Sequence, residues 1–142
     1  MRALSIRQPF AELILRGIKT VELRSRSTNI LGERFYIYAA KKKLAVARGG
    51  QWPVWSKDLA AGERPPPPLW MIELAEQVGM IEPGAIEKLP TGVIVGTAVI
   101  ERVTQVDQGG AMYRWHLADV ERARGKLRKP KGHPQPVWFK AF

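Results

Sequence analysis

Apolar positions near the start of the chain recur at helical spacing. Phe10, Leu13, Ile14 and Ile18 fall on one stripe, the signature of a helix with one buried face. Gln8-Pro9 opens this segment and Gly17 suits its end, since proline is favoured at the first helical position and glycine just past the last. The pattern predicts a short helix over about residues 9–17, preceded by a short strand at Leu4-Ser5-Ile6. From Thr20 the period changes to two. Val21 and Leu23 share one side, and Thr20, Glu22, Arg24 and Arg26 share the other, which predicts a half-buried strand with a polar outer face.

Further along, Leu31-Gly32-Glu33 reads as a turn, and Arg34 to Ala40 as a strand ending in Lys41-Lys42-Lys43. Residues 44–68 are irregular, and four consecutive prolines at Pro65–Pro68 exclude helix or central strand there. A second helix is expected around Leu69 to Val78. Val93 to Val103 is almost continuously apolar and β-branched, which predicts a strand buried on both faces with Gly96 at a bend or bulge. Tyr113, Trp115 and Leu117 alternate as another strand. Residues 119–135 read as a basic loop, in which Arg122 to Lys131 fit either a flexible phosphate-binding arm or an ordinary loop, and Val137 to Lys140 closes the sheet. Five or six short strands and two helices predict a single α+β domain with a small mixed β-barrel.

Charge changes this picture more than length does. The 142 residues carry a net charge of +10, unevenly placed. Residues 1–48 hold eleven Lys/Arg against three Asp/Glu, residues 49–113 four against eight, and residues 114–142 eight against two. Two basic ends around an acidic middle would give a positive face if they meet in the fold, and such a face attracts polyanions. The bland alternative is a soluble basic protein with its charge spread evenly. There is no cysteine, which removes disulfides, thiolate metal sites and cysteine nucleophiles. His116 and His133 have no metal-ligand spacing to other donors, so no metal or other cofactor is expected. No apolar run is long enough to span a membrane and the start has no signal-peptide pattern, so a cytoplasmic location is expected.

Several of these residues together resemble a known family. Leu4-Ser5-Ile6-Arg7-Gln8-Pro9-Phe10 followed by Gly17, Lys19, Glu22 and Arg24 resembles the opening of the ASCH family, with its G-x-K-x-x-E-x-R signature. Gly92 to Gly96, Tyr113 to Leu117, and Lys131 to Gln135 ahead of Val137 to Lys140 resemble its later landmarks, so the likeness runs from Leu4 to Lys140 and is weakest over residues 44–88. The resemblance implies a PUA-like β-barrel with a cleft beside the first helix. It also implies action on, or binding of, RNA or DNA; some small bacterial members are amidohydrolases of N4-acetylcytidine.

The residues themselves suggest the same cleft. Lys19 lies at the helix-to-strand junction, Glu22, Arg24 and Arg26 follow on one strand face, and Arg7 and Gln8 flank the helix at its other end. Arg and Lys, with Lys41 beyond the next strand, suit phosphate. Gln8 suits a base edge, and Glu22 an exocyclic amine. Between Lys19 and Arg24, Glu22 is expected to stay ionised. The alternative is a surface ion-pair row that only ties helix to strand.

Three functions fit this reading. The first is binding of nucleic acid, RNA in particular, or of a nucleotide-like molecule. The second is a small hydrolase, an acetylcytidine-type amidohydrolase or a metal-independent ribonuclease, using Lys19 and Glu22. The amidohydrolase members use a Lys, a Thr and a distant Glu. Here Glu22 stands where that Thr would align, Thr20 is out of register, and Glu73 and Glu101 are the candidates for the distant Glu. The third is a protein-interaction module, in which the proline run is the ligand of a partner domain. Whether the chain is an enzyme is left open.

Overall fold

Six of the expected apolar runs become strands. They are β1 (Arg2–Ile6), β2 (Val21–Arg24), β3 (Arg34–Ala39), β4 (Val93–Gln105), β5 (Tyr113–Arg122) and β6 (Trp138–Lys140). One helix, α1 (Phe10–Leu15), joins β1 to β2. The computed structural model describes residues 1–41, 88–106, 112–132, 134 and 138–142. The helix expected at Leu69–Val78 and the tryptophans Trp52, Trp55 and Trp70 lie outside these residues.

The strands form one sheet in the order β2-β5-β4-β3-β1-β6. All neighbours are antiparallel except β1 and β3. A parallel pair needs a crossover, and here α1 and β2 supply it. The sheet is strongly curled. Arg24 on β2 donates to the Ser5 carbonyl on β1 at 2.7 Å, and Trp115 on β5 stacks on Trp138 of β6 at 5.7 Å. Each pair is four steps apart in the sheet order. At about 4.8 Å per step a flat sheet would hold them roughly 19 Å apart. The expected barrel is thus a curled half-barrel, mostly β, with one short helix among the described residues.

The main core fills the concave side. Leu4, Ile6, Phe35, Ile37, Val95, Ala98, Ile100, Trp115 and Leu117 from the sheet meet Phe10, Leu13 and Ile14 from α1. A smaller cluster of Ala3, Tyr38, Ile94, Phe139 and Ala141 forms separately, with Tyr36 packed against it. Where β4 passes between the two it is buried on both faces, as expected. From Thr97 that expectation fails, because Thr97 and Val99 are only half-buried and Glu101 and Arg102 are exposed. The bulge falls beside Gly96: pairing steps from Ile37–Gly96 to Tyr38–Ile94 and leaves Val95 without a partner residue. A Cβ on Gly96 would run into the Glu121 carbonyl and the Leu15 side chain, so the bend and the close approach explain the glycine together. β5 runs to Arg122 and takes the first residues of the expected basic loop into the sheet.

Candidate functional site

The helix is shorter than the apolar stripe suggested, and its two ends explain how the site is placed. At the start, Pro9 stands at the N-cap rather than at the first helical position, and the Gln8–Pro9 peptide is cis. Gln8, one residue earlier, caps the helix through its side chain: Gln8 Oε1 accepts from the Glu12 backbone N–H at 3.0 Å. Its amide donates to the Pro90 carbonyl at 3.0 Å, and the residue is fully buried. The group expected to meet a base edge is therefore committed to joining α1 to the start of β4.

At the other end, Gly17 adopts a left-handed φ of 78°. Its N–H donates to the Ile14 carbonyl, and the Ile18 N–H to the Leu13 carbonyl, each at 3.0 Å. This paired pattern is the Schellman closure, which favours glycine at the left-handed position. The Lys19 N–H also donates to the Leu13 carbonyl, at 3.1 Å. The turn thus delivers Lys19 to the foot of β2 with its backbone already fixed. In the G-x-K-x-x-E-x-R signature, glycine makes the turn and the three charged residues gather beyond it.

Those three form one buried network. Lys19 Nζ donates to Glu22 Oε1 at 2.7 Å and to the Val21 carbonyl at 2.5 Å. Arg24 Nε donates to Glu22 Oε2 at 2.9 Å, and Arg24 Nη2 lies 2.8 Å from the same oxygen. Relative exposures are 8% for Lys19, 6% for Glu22 and 9% for Arg24. The polar face of β2 is therefore the inward one, opposite to expectation, while Val21 and Leu23 are only half-buried. Register strictly alternates the sides but does not say which one is inside. The polar set can turn inward because it satisfies itself, and because the rings of Phe10 and Trp115 lie 5.9 Å from Lys19 and Arg24 respectively. Burial pushes the Glu22 carboxyl up, but the charges of Lys19 and Arg24, with their hydrogen bonds, outweigh it and hold the group below the usual carboxylate range.

The remaining expected residues lie around this network. Arg7 is half-buried, and burial pulls its guanidinium down from the usual value. Arg26 is exposed, and its carbonyl accepts from the Trp115 indole N–H at 2.9 Å. Lys41 is exposed past the end of β3, against Gly92. Lys42 and Lys43 fall outside the described residues. Thr20 and Glu101 are exposed, and Glu73 lies outside the described residues. His116 shares a hydrogen bond with Thr104 Oγ1 at 2.8 Å. Burial and the charge of Arg102 lower its pKa, with Glu101 opposing and Arg114 adding to the fall. No cluster of three metal-ligating side chains occurs among the described residues.

A second network was missed by the sequence reading. Glu12 on α1 accepts a two-pronged pair from Arg122 on β5, both bonds at 2.8 Å, and a bond from Arg16 at 2.6 Å. The hydrogen bond from Arg122 holds Glu12 below the usual carboxylate range, with burial opposing. The i,i+4 spacing of Glu12 and Arg16 was visible in the sequence; the arrival of Arg122 from 110 residues away was not.

Two comparisons with known proteins bear on these features. The family model of the ASCH domain matches residues 4–136, nearly the whole chain. No curated protein matches the chain.

Proposed function

We propose, from the premise that this chain belongs to the ASCH domain family, that it binds RNA or a nucleotide-like molecule at the Lys19–Glu22–Arg24 network and reads a base edge there. The family is generally linked to RNA binding. One observation carries the finer reading: the way hydrogen-bonding capacity is used up at Lys19 and Glu22. An ammonium has three donors and a carboxylate about four acceptor positions. Among the described residues, Lys19 spends two donors, on Glu22 and the Val21 carbonyl. Glu22 spends one acceptor position on Oε1 and two on Oε2. Counted among the described residues, one donor on Lys19 and one acceptor position on Glu22 remain, on groups 2.7 Å apart. We assign the acceptor on Glu22 to an exocyclic amine and the donor on Lys19 to the neighbouring ring nitrogen, a pairing that cytosine and adenine offer and uracil, with no exocyclic amine, does not. The network carries one net positive charge, and exposed Arg26 follows two residues past the end of β2, which suits the attached phosphate.

The same geometry argues against the hydrolase alternative. Lys19 is engaged as a donor to Glu22 and to the Val21 carbonyl, and Glu22 is held below the usual carboxylate range. A proton acceptor so stabilised is a poor general base at neutral pH.

The test is a fluorescence titration of single-stranded oligocytidine, oligoadenosine and oligouridine, with each mixture checked for cleaved or deacetylated product using an N4-acetylcytidine oligonucleotide. The expected result is tighter binding of the cytidine and adenosine strands, with that preference lost in Glu22→Gln and no product formed. Equal affinities for all three sequences would overturn base-edge reading at this site. Product formation abolished in Lys19→Ala would replace binding with catalysis.

A further inference from the structure

A second surface of this protein has the chemistry of a nucleic-acid contact. From Arg122 to Phe142 the chain holds seven Lys/Arg and no Asp/Glu. After β5 ends, residues 123–132 are neither helix nor strand, yet they are strapped to the sheet at both ends. The Ala123 N–H donates to the Val95 carbonyl at 2.9 Å, and the Ile94 N–H to the Arg128 carbonyl at 2.9 Å. Lys131 and Gly132 both donate to the Ala141 carbonyl, at 2.6 and 3.0 Å. Leu127 packs against the main core, and a Cβ on Gly132 would collide with the Lys140 carbonyl. The backbone is thus fixed while Arg124, Lys126, Arg128, Lys129 and Lys131 are all exposed.

Arg122 is set apart from this group by its two-pronged pairing with Glu12. Arg128 is set apart differently. Its guanidinium carbon lies over the Phe142 ring at 3.7 Å from the centroid, a stacking distance, and Tyr36 meets the same ring edge-on at 5.5 Å. A guanidinium held this way presents a flat cationic plane, one of the surfaces on which unpaired bases stack.

We propose that this strap is a second nucleic-acid contact, with Arg124, Lys126, Lys129 and Lys131 as a track for the phosphates of a single strand and Arg128, stacked on Phe142, as the platform for one base. The proposal rests on the reading that the partner is nucleic acid, but not on which base the Lys19–Glu22 pair prefers. A track of cations beside a stacking plane is how sequence-tolerant single-strand sites are built. A rigid strap also avoids the ordering cost that a loose basic arm would incur on binding.

The experiment uses the full chain and a labelled single-stranded RNA, titrated over a range of salt concentrations. The combined variant Arg124→Gln, Lys126→Gln, Lys129→Gln changes only exposed side chains and is expected to keep the wild-type unfolding midpoint. Each lost phosphate contact lowers the slope of log affinity against log salt by about 0.7, so a fall of about 2 is expected. Arg128→Lys keeps the charge but loses the plane. It is expected to weaken binding of ordinary RNA roughly fivefold or more, without changing the salt slope. It is expected to leave the affinity for an abasic strand of the same length unchanged.

A wild-type slope in the combined variant, with base preference at Glu22 intact, overturns the strap and leaves the first site standing. An equal loss for Arg128→Lys on both strands removes the platform. Equally tight capture of phosphatidylserine vesicles through the same three residues overturns the proposal in favour of a general anionic surface. No oligonucleotide binding by the wild-type protein sinks this proposal and the proposed function together.

Discussion

Glu12 and Glu22 lie ten residues apart, and each is a buried carboxylate held by two cations. Their surroundings differ. The cations on Glu22 are themselves buried, with side-chain exposures of 8% for Lys19 and 9% for Arg24. Those on Glu12 reach into water, at 40% for Arg16 and 52% for Arg122. The same three-charge arrangement is therefore two different devices. Around Glu12 the solvent screens the arginines, and the pairing is a clip that ties α1 to β5 at low energy. Around Glu22 the charges are largely stripped of water, so each leans on the others and on the carbonyls of Val21 and Ser5. A buried charged network is weak evidence for stability but a good place to look for function, since its remaining hydrogen-bonding capacity is aimed rather than solvated.

The contrast is broken most severely by removing the centre of the buried network. Glu22→Ala leaves Lys19 and Arg24 desolvated and facing each other, and is expected to cost about 3–5 kcal/mol. Urea unfolding would measure it, and a loss below about 1 kcal/mol would show that water reaches the network freely.

Acid is the next largest perturbation. Both glutamates are held below their usual pKa, Glu22 by charge and hydrogen bonding against burial, Glu12 chiefly by its hydrogen bond with Arg122. A carboxyl group lowered by folding contributes stability that is complete above its unfolded value, about 4.3, and fades as pH falls through the folded value. Unfolding free energy should therefore hold level above about pH 5 and decline below about pH 4. Glu22→Gln should flatten part of that decline. If its acid limb parallels that of the wild type, Glu22 is not the group that titrates.

Removing one arm of the clip should cost less. Arg122→Ala leaves Glu12 still paired with Arg16, so a loss of about 1 kcal/mol is expected. It should be reduced in high salt, as suits a solvent-exposed partner.

Much of this was legible in the sequence, and the gaps have physical causes. The strands at 34–40, 93–103 and 113–117 could be read because apolar alternation reports burial directly, and the family likeness tied the charged residues of β2 into one motif. The orientation of β2 could not be read, since alternation groups Glu22 with Arg24 but carries no sign. Nor could the tie from Gln8 to the start of β4, which depends on Pro90 arriving from 82 positions away. Arg122 looked like one more basic loop residue because its partner lies across the fold. The strap over residues 123–132 looked loose because its hydrogen bonds are backbone to backbone and leave no trace in side-chain pattern. Local geometry was visible, long-range pairing was not, and the difference fell mostly on polar residues.

The smallest expected effects make the sharpest version of the comparison, because one substitution can be placed in both networks. Arg24→Lys keeps the charge but not the reach. Arg24 contacts Glu22 through Nε and Nη2 while Nη2 also donates to the Ser5 carbonyl on β1, and one ammonium cannot span those positions together. A loss of about 1–3 kcal/mol is expected, set by the buried acceptor left unsatisfied. Arg16→Lys makes the same chemical change at a guanidinium that is 40% exposed and bonded to Glu12 through Nε. There a lysine or water can take over, and the change should stay within about 0.5 kcal/mol. The two variants make the same chemical change, so the gap between their unfolding free energies measures what burial and the extra bond to the Ser5 carbonyl add together. A gap near zero would mean that the two networks are equivalent, and the reason for placing the base-reading site at Glu22 rather than Glu12 would be lost.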